Sequence, residues 1–132
     1  MATEVVIPID TDSDVVAARQ KGRALAASLG FSSTDQTLIA TAISEIARNI
    51  VKFAQRGEIV FRSIDDGNRR GVTVVARDAG PGISDVEGAL RDGFSTYQGL
   101  GLGLPGARRL MDEFEIASEV GKGTTVTMAK WR

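Results

Sequence analysis

The chain has 132 residues, which fits a single domain and is long enough to bury a sizeable core. Its 16 Lys and Arg nearly balance its 17 Asp and Glu, so the net charge of −1 gives no reason to expect a nucleic acid or an anionic membrane as a partner. The sequence contains neither Cys nor His, which excludes thiol nucleophiles, Ser-His-Asp triads and zinc sites built from these residues.

These absences also limit the chemistry that remains. A catalytic base has to be Asp, Glu, Lys or Tyr, and a bound metal is expected to be a hard ion such as Mg²⁺ with oxygen ligands. No signal peptide opens the chain and no apolar run approaches about 18 residues, so we expect a cytoplasmic protein.

The first half of the chain predicts one strand followed by two helices. Residues 3–9 are rich in β-branched side chains and are typical of a strand. The polar residues 11–14 start a helix whose apolar stripe ends before Gly30. Residues 32–36 cap a second helix that runs to about Ala54. Its predicted core stripe consists of Ile39, Ile43, Ile46, Ile50 and either Phe53 or Ala54.

The second half predicts four strands and two helices. Residues 58–64 and 71–78 form two strands joined by an Asp-Gly hairpin turn. A short helix from about Ser84, a polar loop and a second helix follow, and a hairpin around residues 120–123 closes the chain. The order β-α-α-β-β-α-α-β-β predicts the α/β class, as an α+β two-layer sandwich with a mostly antiparallel mixed sheet and helices on one face. We expect residues 1–132 to form this one domain.

The stretch STYQGLGLGLPGARRL at 95–110 contains GxGxxG at 101–106, the pattern of a dinucleotide-binding turn. The context excludes that fold, because no strand precedes the glycines and only two strands follow them. No GxxxxGK[ST] string occurs, and the HRD and DFG elements of ordinary protein kinases are missing. The stretch alone indicates either a backbone that approaches phosphates or a glycine-tolerant helix start.

The second helix carries Glu45 and Asn49 one turn apart on the same face. The Asn side-chain oxygen is a hard ligand suited to Mg²⁺, and a Glu can accept a proton from a nucleophile held nearby. Arg48 and Lys52 lie close enough on the helix to meet phosphate charge. A routine pair on a helix surface is the alternative interpretation.

Asp78 ends a predicted strand and is followed by Gly80 and Gly82. A carboxylate at a strand end can accept a hydrogen bond from an exocyclic amine such as that of adenine, and glycines leave space for a flat ring. The alternative is an ordinary turn, for which Asp-Ala-Gly-Pro-Gly is suitable. Further along, Gly99, Gly101 and Gly103 can approach phosphates, and Thr124 offers a hydroxyl at the start of the last strand.

These motifs, ExxxN, DxGxG, GxGxG opening a helix and GT on a last strand, resemble those of the GHKL ATPase superfamily, which shares one ATP-binding sandwich. The resemblance covers nearly the whole chain. It implies that Glu45 is the general base, that Asn49 ligates Mg²⁺ and that Asp78 binds the adenine amino group. It further implies a base pocket at Gly80 and Gly82 supported by Thr124, phosphates along Gly99, Gly101 and Gly103, and an ATP lid at residues 84–98.

Within the superfamily the chain resembles the bacterial anti-sigma-factor serine/threonine kinases, especially their stressosome switch kinases. The segments that carry this likeness are VAARQKGRALAASLGF, TAISEIARNI, DGFSTYQGLGLGLPGARRLMDEF and GKGTTV. Phe53 stands where many relatives have His, and the segment 84–98 has only Arg91 as a basic residue, with Tyr97 and Gln98 just before the glycines. Arg48, Lys52 or backbone N–H groups are therefore expected to contact the γ-phosphate.

The resemblance implies an ATP- and Mg²⁺-dependent kinase that phosphorylates Ser or Thr of STAS-domain stressosome proteins. It also implies a metal-dependent protein phosphatase as a downstream partner in a stress response. The alternatives are a switch that binds ATP and a partner without transferring phosphate, and a plain ATPase.

Overall fold

The computed structural model of the chain describes residues 3–82 and 103–132. The elements in chain order are β1 (Thr3–Ile9), α1 (Asp12–Ser28), α2 (Ser33–Asn49), a π-helical turn (Ile50–Ala54), β2 (Gly57–Asp65), β3 (Arg70–Asp78), α3 (Gly103–Leu110), β4 (Glu113–Glu119) and β5 (Gly123–Trp131). Five predicted strands and three predicted helices are thereby confirmed. The helix predicted from about Ser84 and the lid at 84–98 lie outside the described residues.

The five strands form one sheet in the order β1-β2-β3-β5-β4, and every pairing among the described strands is antiparallel. Burial alternates along β4, which is expected when helices cover one face of a sheet and leave the other open. The two-layer sandwich predicted from the element order is confirmed. In the described parts of the chain, none of the helices has the length and apolar character needed to cross a membrane.

The core lies between α2 and the covered face of the sheet. Ile39, Ile43 and Ile46 on α2 are at most 1% exposed and belong to one apolar cluster with Phe61 of β2 and Met128 of β5. Helix α1 packs on the flank of α2, and α3 packs on α2 as well. Because α2 contacts both other helices and the sheet, it is the element against which the rest of the domain is positioned.

The first two helices begin at polar residues that satisfy free backbone N–H groups. The Asp14 carboxylate accepts hydrogen bonds from the N–H groups of Thr11 at 3.0 Å and Asp10 at 2.9 Å. These two backbone donors hold the pKa of the Asp14 carboxyl below its ordinary value. The Ser32 hydroxyl accepts the N–H of Asp35 at 3.1 Å at the start of α2.

The last turn of the second helix differs from the prediction. The α-helix ends at Asn49, and the chain continues through a π-helical turn to Ala54 before Gln55 reverses it at φ +70°. A π turn contains more residues than an α turn, so the side that faces inward shifts along the chain. Ile50 therefore stays buried and Ala54 is half-buried, whereas Phe53 is 41% exposed. Of the two candidates for the end of the stripe, Ala54 faces inward and Phe53 does not.

The π-helical turn predicts that truncating Ile50 and truncating Phe53 lower the free energy of unfolding by different amounts. Ile50→Ala is expected to lower the free energy of unfolding by about 2–5 kcal/mol, because it leaves a cavity in the core. Phe53→Ala is expected to lower it by about 1 kcal/mol or less, since much of that ring already contacts water. Urea unfolding followed by circular dichroism measures both values. A larger loss at Phe53 than at Ile50 would contradict the π turn.

Candidate functional site

Helix α2 carries Glu45 into the interior of the domain. The residue is 6% exposed, although an ionisable side chain is rarely buried to that degree without partners. Ser44 beside it is also buried, and its hydroxyl donates to the Ala40 carbonyl at 3.0 Å. The buried Glu45 carboxylate on a mostly apolar helix face therefore requires specific partners inside the domain.

Two groups hold the Glu45 carboxylate. Arg48 Nη1 donates to Oε1 at 2.8 Å, and the backbone N–H of Gly103 donates to Oε2 at 2.9 Å. Gly103 is the first residue of α3, and the N-terminus of a helix favours a negative charge. The structure thus brings together Glu45, the predicted base, Arg48, a predicted cation, and Gly103, at the end of the glycine stretch. Gly103 follows Glu45 by 58 positions in the sequence.

Asn49 lies one turn after Glu45 on α2 and is half-buried. Its Nδ2 atom is buried, and none of the described residues accepts a hydrogen bond from it. A buried amide without a partner costs about 1–3 kcal/mol, so this donor is available to an acceptor from outside the described residues. A carboxamide offers a donor to a phosphate oxygen and an acceptor oxygen to a hard cation, so the magnesium ligand expected at Asn49 stays a prediction.

Lys52, the second predicted cation, lies on the π-helical turn and is exposed. Arg48 is exposed over 49% of its side chain while it pairs with Glu45. Arg48 therefore lies against the predicted base, and Lys52 follows it one turn later.

Asp78 ends β3, and the sheet register places it between two neighbouring strands. It pairs with Gly57 on β2 and with Thr124 on β5. Its Oδ1 atom accepts the N–H of Gly80 at 2.9 Å, which fixes the carboxylate in a turn beyond the strand. The predicted Asp78 and Thr124 thus face each other across β3 and β5, on the inner side of the sheet.

Ser118 was not predicted from the sequence, although it contacts Thr124 directly. The two hydroxyl oxygens are 2.7 Å apart, and the Ser118 hydroxyl also lies 3.2 Å from the Gly123 carbonyl. The period-two alternation of β4 could have indicated it, because Ser118 shares a face with the half-buried Phe114 and Ile116. It positions the Thr124 hydroxyl at the edge of the Asp78 turn.

Gly80 and Gly82 have a packing role in addition to the predicted one. A Cβ atom on Gly80 would lie 2.6 Å from the Ala54 Cβ, so the Asp78 turn packs tightly against the π-helical turn. A Cβ atom on Gly82 would lie 2.4 Å from the Glu119 carbonyl oxygen. Gly80 therefore brings the chain after β3 against the π-helical turn, and Gly82 brings it against the β4–β5 turn.

The predicted site residues thus fall into two groups along α2. Glu45, Asn49 and Gly103 form the first, and Asp78, Thr124 and their glycines form the second, beside Ala54. Gly99 and Gly101, with Arg91 and the rest of the predicted lid, lie outside the described residues. The first group offers a proton acceptor beside a helix N-terminus. The second offers a carboxylate at the end of β3 and a hydroxyl at the start of β5.

Comparisons with known proteins find similar chains. The model of a histidine kinase-like ATPase domain matches residues 7–130. The chain is 48% identical to the serine/threonine-protein kinase RsbT of Bacillus subtilis strain 168, over 99% of this chain and 98% of that one. It is 33% identical to an anti-sigma F factor of Thermoanaerobacter sp. strain X514, over 86% of this chain and 82% of the relative.

Solved structures show the same fold. The structure of the RsbU and RsbW domains of Rv1364c from Mycobacterium tuberculosis matches with a TM-score of 0.64 and 23% identity, covering all of this chain. The chain spans 33% of the length of that larger chain. The catalytic domain of the histidine kinase ThkA matches with a TM-score of 0.53 and 16% identity over 98% of this chain and 95% of that one.

The packing of Gly82 can be tested against a second glycine with a similar backbone angle. Gly82 has φ +78° and Gly67 has φ +89°, but a Cβ on Gly67 would meet nothing within 4 Å. Gly67→Ala is expected to cost about 1 kcal/mol of unfolding free energy, from backbone strain alone. Gly82→Ala is expected to cost about 1–3 kcal/mol more, because it also collides with Glu119. Equal losses in chemical denaturation would contradict this contact.

Proposed function

The chain belongs to the family of histidine kinase-like ATPase domains, and from this membership we propose that it transfers the γ-phosphoryl group of ATP to a Ser or Thr of a regulatory protein. It is an enzyme of the serine/threonine-protein kinase class, as is the relative that matches it over almost its whole length. The observation that carries the proposed mechanism is the hydrogen bond from Gly103 N–H to the Glu45 carboxylate. It joins the predicted base to the end of the glycine stretch.

In this proposal Glu45 accepts the proton of the partner's hydroxyl as its oxygen attacks the γ-phosphorus. A bond forms between that oxygen and phosphorus, the bond from phosphorus to the bridging β–γ oxygen breaks, and ADP leaves. A carboxylate has about four lone-pair directions. Arg48 and Gly103 each use one on different oxygens, so acceptor capacity remains for the incoming proton.

The same proposal gives the remaining residues roles in holding ATP. Asp78 accepts a hydrogen bond from the adenine amino group, with Thr124 beside it and with Gly80 and Gly82 shaping the base pocket. Asn49 would hold Mg²⁺ through its side-chain oxygen, and its buried Nδ2, which has no acceptor among the described residues, would donate to a phosphate oxygen. Bound Mg²⁺ would offset the charge of the phosphates. The backbone of Gly99, Gly101 and Gly103 would lie along those phosphates, with Lys52 supplying positive charge nearby.

We propose STAS-domain proteins of a stressosome as the substrates and a metal-dependent protein phosphatase as a further partner, in the cytoplasm. The support is the likeness to RsbT and to anti-sigma factors. The second candidate function is a switch that binds ATP and a partner without phosphoryl transfer, and the name of the anti-sigma F factor relatives supports its partner-binding part. Labelled ATP and a STAS-domain protein distinguish the two. Label on a partner Ser or Thr supports the kinase, and bound nucleotide with no label on the partner supports the switch.

Replacing Glu45 is expected to slow phosphoryl transfer without weakening the binding of ATP. Glu45→Gln keeps an acceptor oxygen for Gly103 N–H but cannot take up the proton, so phosphoryl transfer is expected to fall roughly 10²–10⁴-fold. The affinity for ATP should stay within about threefold. A quench assay with labelled ATP measures the transfer, and Glu58→Gln, whose side chain is 42% exposed on β2, is the matched control. Transfer by Glu45→Gln at the rate of the unmodified protein would overturn the assignment of the base.

Two further substitutions should separate the contribution of adenine recognition to ATP affinity from the contribution of Mg²⁺. Asp78→Asn removes the carboxylate proposed to bind adenine, so ATP affinity is expected to fall roughly 10- to 100-fold with or without Mg²⁺. Asn49→Ala is expected to weaken binding more in the presence of Mg²⁺ than in its absence, because it removes a metal ligand as well as a donor to a phosphate oxygen. Isothermal titration calorimetry with Mg²⁺ and with a chelator measures both. Asn68→Ala, in the exposed β2–β3 turn, is the control. Unchanged affinity in both variants would contradict the proposed site.

A further inference from the structure

Arg48 has two conceivable roles beside the nucleotide, and its contact distinguishes them. We propose that Arg48 is a positioning residue for Glu45 and not a ligand of the phosphates. Its ion pair and the Gly103 hydrogen bond together hold the carboxylate in the orientation of a proton acceptor. This inference rests on the proposed function, in which Glu45 takes the proton of the partner's hydroxyl.

The first step of the argument is the asymmetric burial of the pair. The Glu45 side chain is 7% exposed and the Arg48 side chain 49%, with Nη1 and Oε1 2.8 Å apart. An ion pair on a helix surface is worth little, because water and salt screen both charges. Here the carboxylate is shielded from water, so its interaction with the guanidinium is stronger and has a more definite geometry.

The second step is the use of both oxygens. The carboxylate of a Glu rotates easily about its last torsion, and one hydrogen bond to Gly103 would leave that rotation possible. Arg48 binds the other oxygen from the same helix, while Gly103 belongs to a different segment. Two donors on two oxygens fix the plane of the carboxylate and hence the direction of its remaining lone pairs.

The third step concerns charge. A guanidinium that already neutralises a carboxylate contributes less to the binding of phosphates, and its geometry is committed to that partner. A phosphate ligand and a positioning residue therefore give different results when removed. Loss of a phosphate ligand weakens ATP binding, and the effect differs between ATP and ADP if it contacts the γ-phosphate. Loss of a positioning residue slows the transfer at unchanged affinity.

The kinetic test uses Arg48→Gln with Arg48→Lys as the conservative variant. Arg48→Gln is expected to lower the transfer rate at saturating ATP and STAS-domain partner roughly 10- to 100-fold, as for a misplaced reacting group. The Kd values for ATP and ADP should stay within about twofold. Arg48→Lys should restore part of the rate. Arg62→Gln breaks an ion pair with Glu4 that is exposed on both sides, and should change neither quantity.

A second readout does not depend on activity. In the nucleotide-free protein, Arg48→Gln is expected to shift the amide NMR signal of Gly103 and to accelerate its hydrogen exchange, because the carboxylate is held less firmly. Arg62→Gln should leave that signal unchanged. The same comparison in a Glu45→Gln background should show a much smaller effect of Arg48→Gln, since the charged partner is gone.

The outcomes separate this inference from the proposed function. The positioning role is overturned by a Gly103 amide that Arg48→Gln leaves unaffected, by a Kd for ATP or ADP that rises tenfold or more, or by an unchanged transfer rate in a protein that transfers phosphate. A shifted Gly103 amide with unchanged Kd values supports it even if the unmodified protein transfers no phosphate, and in that case only the kinase assignment fails.

Discussion

The buried carboxylate of Glu45 is the constraint on which the arrangement of the site depends. A charge that is 6% exposed must find partners inside the protein or destabilise it. Its partners are Arg48 on the same helix and the Gly103 N–H at the start of α3. Because Gly103 is the last glycine of the GxGxG motif, the Glu45 side chain fixes where that motif ends relative to α2. The stability of the helix contact and the geometry of the proposed reaction thus rest on the same carboxylate.

The π-helical turn after Asn49 has a second consequence for the site. By shifting the inward side of the chain, it keeps Ile50 in the core and places Ala54 where only a glycine at position 80 leaves enough space. The turn that holds Asp78 is thereby packed against the end of α2. Gly80, in the Asp78 turn, and Gly103, at the start of α3, are consequently both held near this helical segment, the first by packing on Ala54 and the second by the Glu45 carboxylate.

Much of this could be predicted from the sequence, because it depends on local pattern. The strands, the hairpin turns, the stripe on α2 and the candidate residues follow from periodicity and motif spacing. Contacts between distant segments could not be predicted in the same way. Periodicity places Glu45 at the edge of an apolar stripe, but only the packing of α3 shows that its carboxylate is buried and bound to Gly103. The π turn was missed because Phe53 and Ala54 fit an α-helical stripe almost equally well.

The two groups of site residues differ in how they are held, and this affects how the protein can change. Asp78 and Thr124 meet through backbone pairing of β3 and β5, whereas Glu45 is held by side-chain and amide contacts. Glu45 and Ala54 are nine positions apart along α2 and the π-helical turn, at most about 13 Å at the rise of an α-helix. Substitutions that far apart without shared partners usually have additive effects. The contacts that hold Glu45 and the packing of Ala54 on the Asp78 turn are therefore expected to contribute to the free energy of unfolding nearly independently.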